Sequence, residues 1–244
     1  MTKQFAIIGL DIFGERALEE LIPLDIELII VDKNEAKIQG YKSKVTNAYV
    51  VDVTKIEAIE KIIPRTVDVA IVDLGENIEA AMLVTNCLKQ MEIKQIVVKA
   101  DTDQQGNILK ILGATMVVFP QKEAIKRIIP LLISPLLLNY LTISDELIIA
   151  EVRVPDKFIG QTILDANFRK NYQLNVIAFK NRNSSQYQNF SLHYQFEEDD
   201  IILVSGTEKN ISDFVQQPIA PKTKGLVGFF KSFLSAGRKT RKTP

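Results

Sequence analysis

The groups in this sequence that could do chemistry are carboxylates at the ends of apolar runs. Val31 leads into Asp32, Val51 into Asp52 and Val72 into Asp73, while a fourth acid, Asp11, interrupts the turn after the first run, Phe5–Ile8. An acid at the end of a buried strand can accept hydrogen bonds from a ribose, or it can cap the next turn or helix. Asp32 lies 18 residues beyond Gly14, close to where a dinucleotide fold keeps its ribose-binding acid, and both readings are open for it. Thr54 competes with Asp52 as cap of the following helix, and Asp73 is expected to be structural or at the pocket edge. Lys33, Val53 and Lys99 flank the same strand ends and complete the candidate nucleotide-contacting set with Gly9, Asp11, Ile12, Phe13 and Gly14.

The turn itself is a dinucleotide fingerprint with a flaw. The pattern Gly-x-Gly-x-x-Gly lets backbone N–H groups approach a pyrophosphate at a helix N-terminus. Here it reads Gly9-Leu10-Asp11-Ile12-Phe13-Gly14, with a carboxylate in place of the middle glycine. Such a charge beside a diphosphate costs roughly 1–4 kcal/mol at about 4 Å, between bulk-water and protein-surface dielectrics. No hydride-transfer or hydrolytic apparatus accompanies the turn. His193 is the only histidine and sits in the second half, and a lone histidine needs a positioned partner before it can serve as a general base. Cys87 is the only cysteine, which excludes an internal disulfide and a cysteine-cluster metal site; it lies among Leu83, Val84 and Leu88, a setting for a buried apolar role.

These residues need a scaffold, and the first half supplies one. Apolar runs at 5–8, 27–31, 48–51, 67–72, 95–99 and 115–119 alternate with helix-compatible stretches. Continuous β-branched runs separated by helices indicate a parallel sheet covered on both faces, with right-handed crossovers. We expect an α/β, doubly wound (Rossmann-like) domain over residues 1–120. Gln121–Leu141 becomes apolar nearly all round after a charged start, and 121–143 is expected to be one linking helix, bent at Pro130 and Pro135 and buried against a second copy of the chain, an internal core helix being the alternative. Residues 144–217 read as a small α+β module: strands at 147–154, 176–180, 189–196 and 201–205, short helical pieces at 159–164 and 167–172, and a closing helix at 208–215.

Charge separates the end of the chain from the rest. From Pro218 onward there are seven basic residues and no acid, while residues 1–217 carry a net charge of −7. That acidity argues against a general nucleic-acid binder. Within the tail, 218–244, Leu226, Phe229, Phe230, Phe233 and Leu234 recur at helical spacing around Lys231. A basic amphipathic stretch of this kind suits contact with a membrane surface or a partner. The longest apolar stretch, 128–141, is too short and interrupted to span a bilayer. The body is expected to be cytoplasmic.

Several short motifs, in order and spacing, resemble the cytosolic regulatory subunits of Ktr/Trk potassium-uptake systems, built of an RCK N-lobe and an RCK C-lobe. They are Gln4–Leu10 with Phe13-Gly14, Val31–Glu35, Val98-Lys99-Ala100 and Ile111–Ala114, then Leu138–Leu141, Ser144–Glu146, Leu164-Asp165 with Arg169 and Tyr172, and Asn175–Ala178. The resemblance covers about residues 3–216. It implies a non-enzymatic, homo-oligomeric subunit, dimeric and assembled into an octameric ring. The partner would be a membrane-embedded potassium channel subunit, placing the ring peripherally on the inner face of the plasma membrane. It implies ATP/ADP or NAD in the N-lobe, and cyclic di-AMP in the C-lobe. There Arg169 would face a phosphate, Asn175 would hydrogen-bond the nucleotide with Val176 beside it, and Ile163, Leu164 and Ala166 would pack on a base. Three residues depart from the family pattern: Asp11 for the middle glycine, Ile12 for a phosphate-reaching arginine, and Gln121 for a cation-holding glutamate. The expectation is a weakened N-lobe phosphate site, with no resident metal. An NAD(P)-dependent oxidoreductase and a stand-alone nucleotide sensor are the competing readings.

Overall fold

The computed structural model describes residues 2–215 other than 183, 185 and 190; the expectations for Lys231, Phe229, Phe230 and Phe233 fall outside that range. The described residues form two compact units, divided after Glu123. The first contains β1 (Gln4–Ile8), α1 (Ile12–Leu21), β2 (Glu27–Asp32), α2 (Glu35–Tyr41), β3 (Asn47–Val50), α3 (Ile56–Ile62), β4 (Val69–Val72), α4 (Ile78–Gln90), β5 (Gln95–Lys99), α5 (Asp103–Leu112) and β6 (Met116–Val118). All its strands are parallel, in the order β3-β2-β1-β4-β5-β6. The doubly wound fold read from the apolar runs is therefore present. Alternation along β1 shows how the layers divide. Ala6 and Ile8 join the core beneath α3, α4 and α5, with Ile59, Val84 and Leu109, whereas Ile7 joins the other core with Leu18 and Ile38 of α1 and α2.

The strand order reverses at β1, whose neighbours are β2 and β4. Chains leave β1 and β4 in opposite directions around the sheet, so a crevice opens at their carboxyl ends, the usual ligand position in such sheets. The turn after β1, the last residue of β2 (Asp32) and the acid that follows β4 (Asp73) all lie there.

The linking stretch differs from the expected single helix. A helix, α6, runs only over Pro120–Ile133, and Leu137–Ser144 forms a strand, β7. Pro130 is tolerated inside the helix, but Pro135 lacks the N–H that another turn requires, and a tight turn with Leu137 N–H on the Ser134 carbonyl (3.1 Å) redirects the chain. The apolar run Leu136–Leu138 then supplies a strand instead of a helix face. β7 pairs antiparallel with β8 (Leu147–Arg153). The remaining elements of the second unit are α7 (Ile163–Ala166), α8 (Phe168–Tyr172), β9 (Asn175–Lys180), β10 (Ile201–Gly206) and α9 (Glu208–Phe214). Its antiparallel sheet runs β7-β8-β10-β9. One face packs on an aromatic cluster in which Phe168 meets Phe158, Phe196 and Phe214 at centroid distances of 5.3–5.8 Å. The expected strand at 189–196 is absent among the described residues there. Gln188 bridges to Phe179 and Gln195 to Thr162, so the segment changes partner before a ladder can form.

Candidate functional site

Two glycines let the turn after β1 exist. Gly9 adopts φ +89°, and a Cβ there would lie 1.9 Å from the Asp73 carbonyl oxygen; a Cβ on Gly14 would lie 2.3 Å from the Gly9 carbonyl oxygen. The turn packs backbone on backbone, leaving no room for any side chain at either position. Its hydrogen bonds come from the strand-end acids. Asp32 accepts the Leu10 N–H on Oδ2 (2.6 Å) and the Asn34 N–H on Oδ1 (2.7 Å). Asp73, fully buried, accepts the Gly14 N–H on Oδ2 (2.8 Å) and the Gly75 N–H on Oδ1 (3.3 Å). Lys37, from α2, donates to the Leu10 carbonyl at 2.6 Å. Two N–H groups of the fingerprint turn, those of Leu10 and Gly14, are thus taken by protein carboxylates.

Asp11 is the N-cap residue of α1, yet its side chain makes no capping bond. Its Oδ2 lies against Gly75, 3.2 Å from where a Cβ of that residue would stand. Among the described residues it has no hydrogen bond or ion pair. Lys99 approaches the same place from β5, but its half-buried ammonium is held by Asp101 at 2.9 Å and by the Gly75 carbonyl at 3.5 Å. The crevice brings together Gly9, Asp11, Gly14, Asp32, Asp73 and Lys99. The side chains of the rest of the expected set are placed differently. Ile12 is 77% exposed, Lys33 points to solvent, Phe13 packs partly into the core of α1 and α2, and Val53 is buried in the opposite core. Asp52 accepts from both the Thr54 hydroxyl (2.8 Å) and N–H (3.1 Å), which hold its carboxyl below the usual range; it is an exposed turn residue beyond the edge strand. Gln121 is exposed on α6. Gly75 and Lys37 belong to the site and were not evident from the sequence. Neither stands in the fingerprint, and only a short apolar run ending one residue before Asp73 hinted at the first.

A second concavity, about 540 Å³, opens between α1 and α2. Tyr41 crosses it, donating from its hydroxyl to Glu15 (2.9 Å) and Glu19 (3.2 Å). Burial, then these two carboxylates, push the phenol up to about 12. Lys37 lines this groove too, so one side chain joins it to the Leu10 carbonyl.

In the second unit, Thr162 caps α7, accepting the Asp165 N–H at 3.0 Å and donating to its carboxylate at 2.6 Å. Ile163 and Ala166 are committed to the core, so contact with a base at this surface falls to Leu164, which is 53% exposed. Arg169 on α8 and Asn175 at the start of β9 are exposed, and Val176 is half-buried against the core. Asn167 and Gln173, at φ 44° and 55°, terminate the two short helices and fix the loops around Arg169. Behind them, on β8 and β9, Glu151 accepts from Lys180 (2.8 Å) and from the Tyr187 hydroxyl (2.6 Å). Among the described residues no group of three His, Cys, Asp or Glu is arranged to hold a metal ion, and no helix is long and apolar enough to cross a membrane.

Comparison with known proteins matches residues 5–120 to the TrkA-N domain and residues 147–217 to the TrkA-C domain. Ktr system potassium uptake protein C of Bacillus subtilis (strain 168) is 31% identical over 222 residues, 91% of this chain and all of that protein. Ktr system potassium uptake protein A of the same organism is 32% identical, over 87% of this chain and 96% of that one. Among solved structures, the GsuK RCK domain superposes with a TM-score of 0.61 at 16% identity, covering 91% of this chain and 49% of that one. The GsuK channel bound to NAD gives 0.61 at 17% identity, over all of this chain and 47% of that one. At these identities the likeness is one of fold, and this chain spans about half of each solved chain.

Proposed function

We propose a function from one premise: the chain belongs to the family built of a TrkA-N domain followed by a TrkA-C domain, with the Ktr potassium uptake proteins among its relatives. It is a non-catalytic regulatory subunit of a potassium-uptake system. It assembles with further copies of itself into a gating ring and works against a membrane-embedded potassium channel subunit at the cytoplasmic face of the plasma membrane. The observation that carries this reading is the match to Ktr protein C over that protein's whole length. Ligands set the state of the ring. The N-lobe crevice is a nucleotide site with impaired phosphate binding, since Asp11 meets the ligand where the fingerprint has glycine. The C-lobe surface of Leu164, Arg169 and Asn175 takes cyclic di-AMP, an arginine fork being matched to a phosphate. The tail from Pro218 touches the membrane or the channel subunit.

Co-expression with a Ktr-type channel subunit in cells lacking potassium uptake tests the main reading. The pair is expected to co-purify and to restore growth at low external potassium, and the channel subunit alone to do so poorly. Independent migration of the two proteins, with no effect of this chain on uptake, overturns it. For the tail, full-length protein is expected to sediment with anionic liposomes and a chain ending at Gln217 to stay in the supernatant.

A further inference from the structure

We infer that Asp11 makes the N-lobe crevice selective for a nucleoside-class ligand, one that presents hydroxyl or amine donors to the turn, over the corresponding di- or triphosphate. The inference rests on the reading of this crevice as a nucleotide site and goes on to name the ligand class. Its structural basis is that the turn kept its shape while exchanging its chemistry. Gly9 and Gly14 still pack backbone against backbone at separations no Cβ allows. Several donors around the turn that could serve a pyrophosphate are engaged elsewhere. The Leu10 and Gly14 N–H groups bond to Asp32 and Asp73, and the ammonium groups of Lys37 and Lys99 are held by the Leu10 carbonyl and by Asp101. Beside the first N–H groups of α1 stands the Asp11 carboxylate, half-buried, lying against Gly75 and making no side-chain bond among the described residues.

A carboxylate is an acceptor only. It repels a phosphate and welcomes an O–H or N–H donor. Its position at the N-terminus of α1 also gives the helix dipole a negative charge already in place, so a second anion gains less there. Asp32 keeps spare lone pairs after its two backbone bonds and can still accept from a ribose hydroxyl. The crevice therefore retains the nucleoside half of a nucleotide site and opposes the phosphate half.

Equilibrium binding of adenosine and of ADP to the full-length protein tests this, in EDTA and again in excess Mg²⁺. The variant is Asp11→Asn, which removes the charge but preserves the side-chain shape and the N-cap residue type; matching thermal unfolding curves establish that both proteins are folded. Wild type is expected to bind adenosine at least as tightly as ADP in both buffers. Asp11→Asn is expected to tighten ADP by about ten-fold or more, the scale of one charge pair at a partly screened site, while adenosine changes by less than about three-fold. ADP binding to wild type more than about ten-fold tighter than adenosine overturns the inference and leaves the nucleotide-site reading standing. So does an ADP/adenosine ratio that Asp11→Asn does not move, and so does Mg²⁺ making ADP the preferred ligand of wild type. If neither compound binds either protein, the nucleotide-site reading of the crevice falls and takes the inference with it.

Discussion

The turn from Gly9 to Gly14 and the segment from Thr162 to Asn175 each present candidate ligand residues beside the end of a strand, but their side chains are free to very different degrees. In the first, Asp32 and Asp73 are the turn's internal hydrogen-bond acceptors, and the glycines are fixed by backbone contact. In the second, Arg169 and Asn175 stand exposed on a short helix and at a strand start, while Ile163, Ala166 and Phe168 of the same segment are buried in the core. Substitution in the first region therefore disturbs architecture before it reports on a ligand, and substitution in the second reports on a ligand with little architectural cost. One consequence is practical. Loss of nucleotide binding in an Asp32 or Asp73 variant is not evidence of direct contact.

Two glycines with positive φ sharpen the contrast most. Gly9→Ala forces a Cβ against the Asp73 carbonyl, and the neighbour is backbone that cannot step aside. A loss of about 4 kcal/mol or more is expected, enough to remove a folded first unit. Gly160, at φ +79°, faces open space, so Gly160→Ala carries only the conformational term, about 1–2 kcal/mol. Thermal unfolding of the two variants checks this, and equal losses would break the comparison. Next in size is Asp73→Ala. It strands the Gly14 and Gly75 N–H groups beside a fully buried site, at a cost of about 2–4 kcal/mol. Asp32→Ala leaves Leu10 and the more exposed Asn34, whose N–H groups water can reach, and costs about 1–2 kcal/mol. Urea unfolding that ranks Asp32 above Asp73 contradicts the bracing assigned to Asp73.

How much of this was readable beforehand follows from the range of the interactions. The parallel sheet was legible because each strand is a continuous apolar run, a local property of a few residues. The place of the crevice followed, since Gly9, Asp32 and Asp73 all stand at run ends and Gly14 closes the turn after the first of them. What those acids do was not legible. Asp73 serves Gly14 across 59 residues, and no spacing rule relates the two. Lys37 was hidden for the same reason, its partner being the carbonyl of Leu10. The change from α6 to β7 was missed because Leu136–Leu138 extends the apolar run of the helix without a break in pattern, and only the missing N–H of Pro135 marks the end. In the second unit, Ile163 and Ala166 read as ligand contacts until the aromatic cluster beneath α7 and α8 claimed that face.

Arg169→Ala tests the other side of the comparison. The side chain is exposed and makes no ion pair among the described residues, so unfolding free energy should move by less than about 0.5 kcal/mol. If Arg169 meets a phosphate, cyclic di-AMP affinity should fall by about ten-fold or more, the loss of one charge-assisted hydrogen bond. Isothermal titration beside a melting curve separates the two effects. A destabilised variant, or unchanged affinity in a protein that binds the ligand, removes Arg169 from the site.

The smallest expected effect concerns a charged pair elsewhere on the same sheet, between Glu151 of β8 and Lys180 of β9. Burial pushes the Glu151 carboxyl up, but hydrogen bonds from Lys180 and then Tyr187, with the Lys180 charge, outweigh it and hold the group below the usual carboxylate range. A carboxyl depressed in the folded state contributes stability above its unfolded pKa and loses it as pH falls through the lower folded value. Lys180 and Glu151 are mostly covered, with side chains 23% and 19% exposed, and the lysine also sits 4.9 Å from the Tyr187 ring centroid. Glu151→Gln should therefore cost about 1 kcal/mol at neutral pH. The gap between wild type and variant should narrow as pH drops below the ordinary carboxylate range and both chains carry an uncharged group at 151. Urea unfolding across that acid range is the measurement, and a gap that stays constant shows that packing, not charge, is what Glu151 contributes. If the gap narrows while cyclic di-AMP affinity at neutral pH is unaffected by Glu151→Gln, the Glu151–Lys180 pair and the proposed ligand residues are energetically separate.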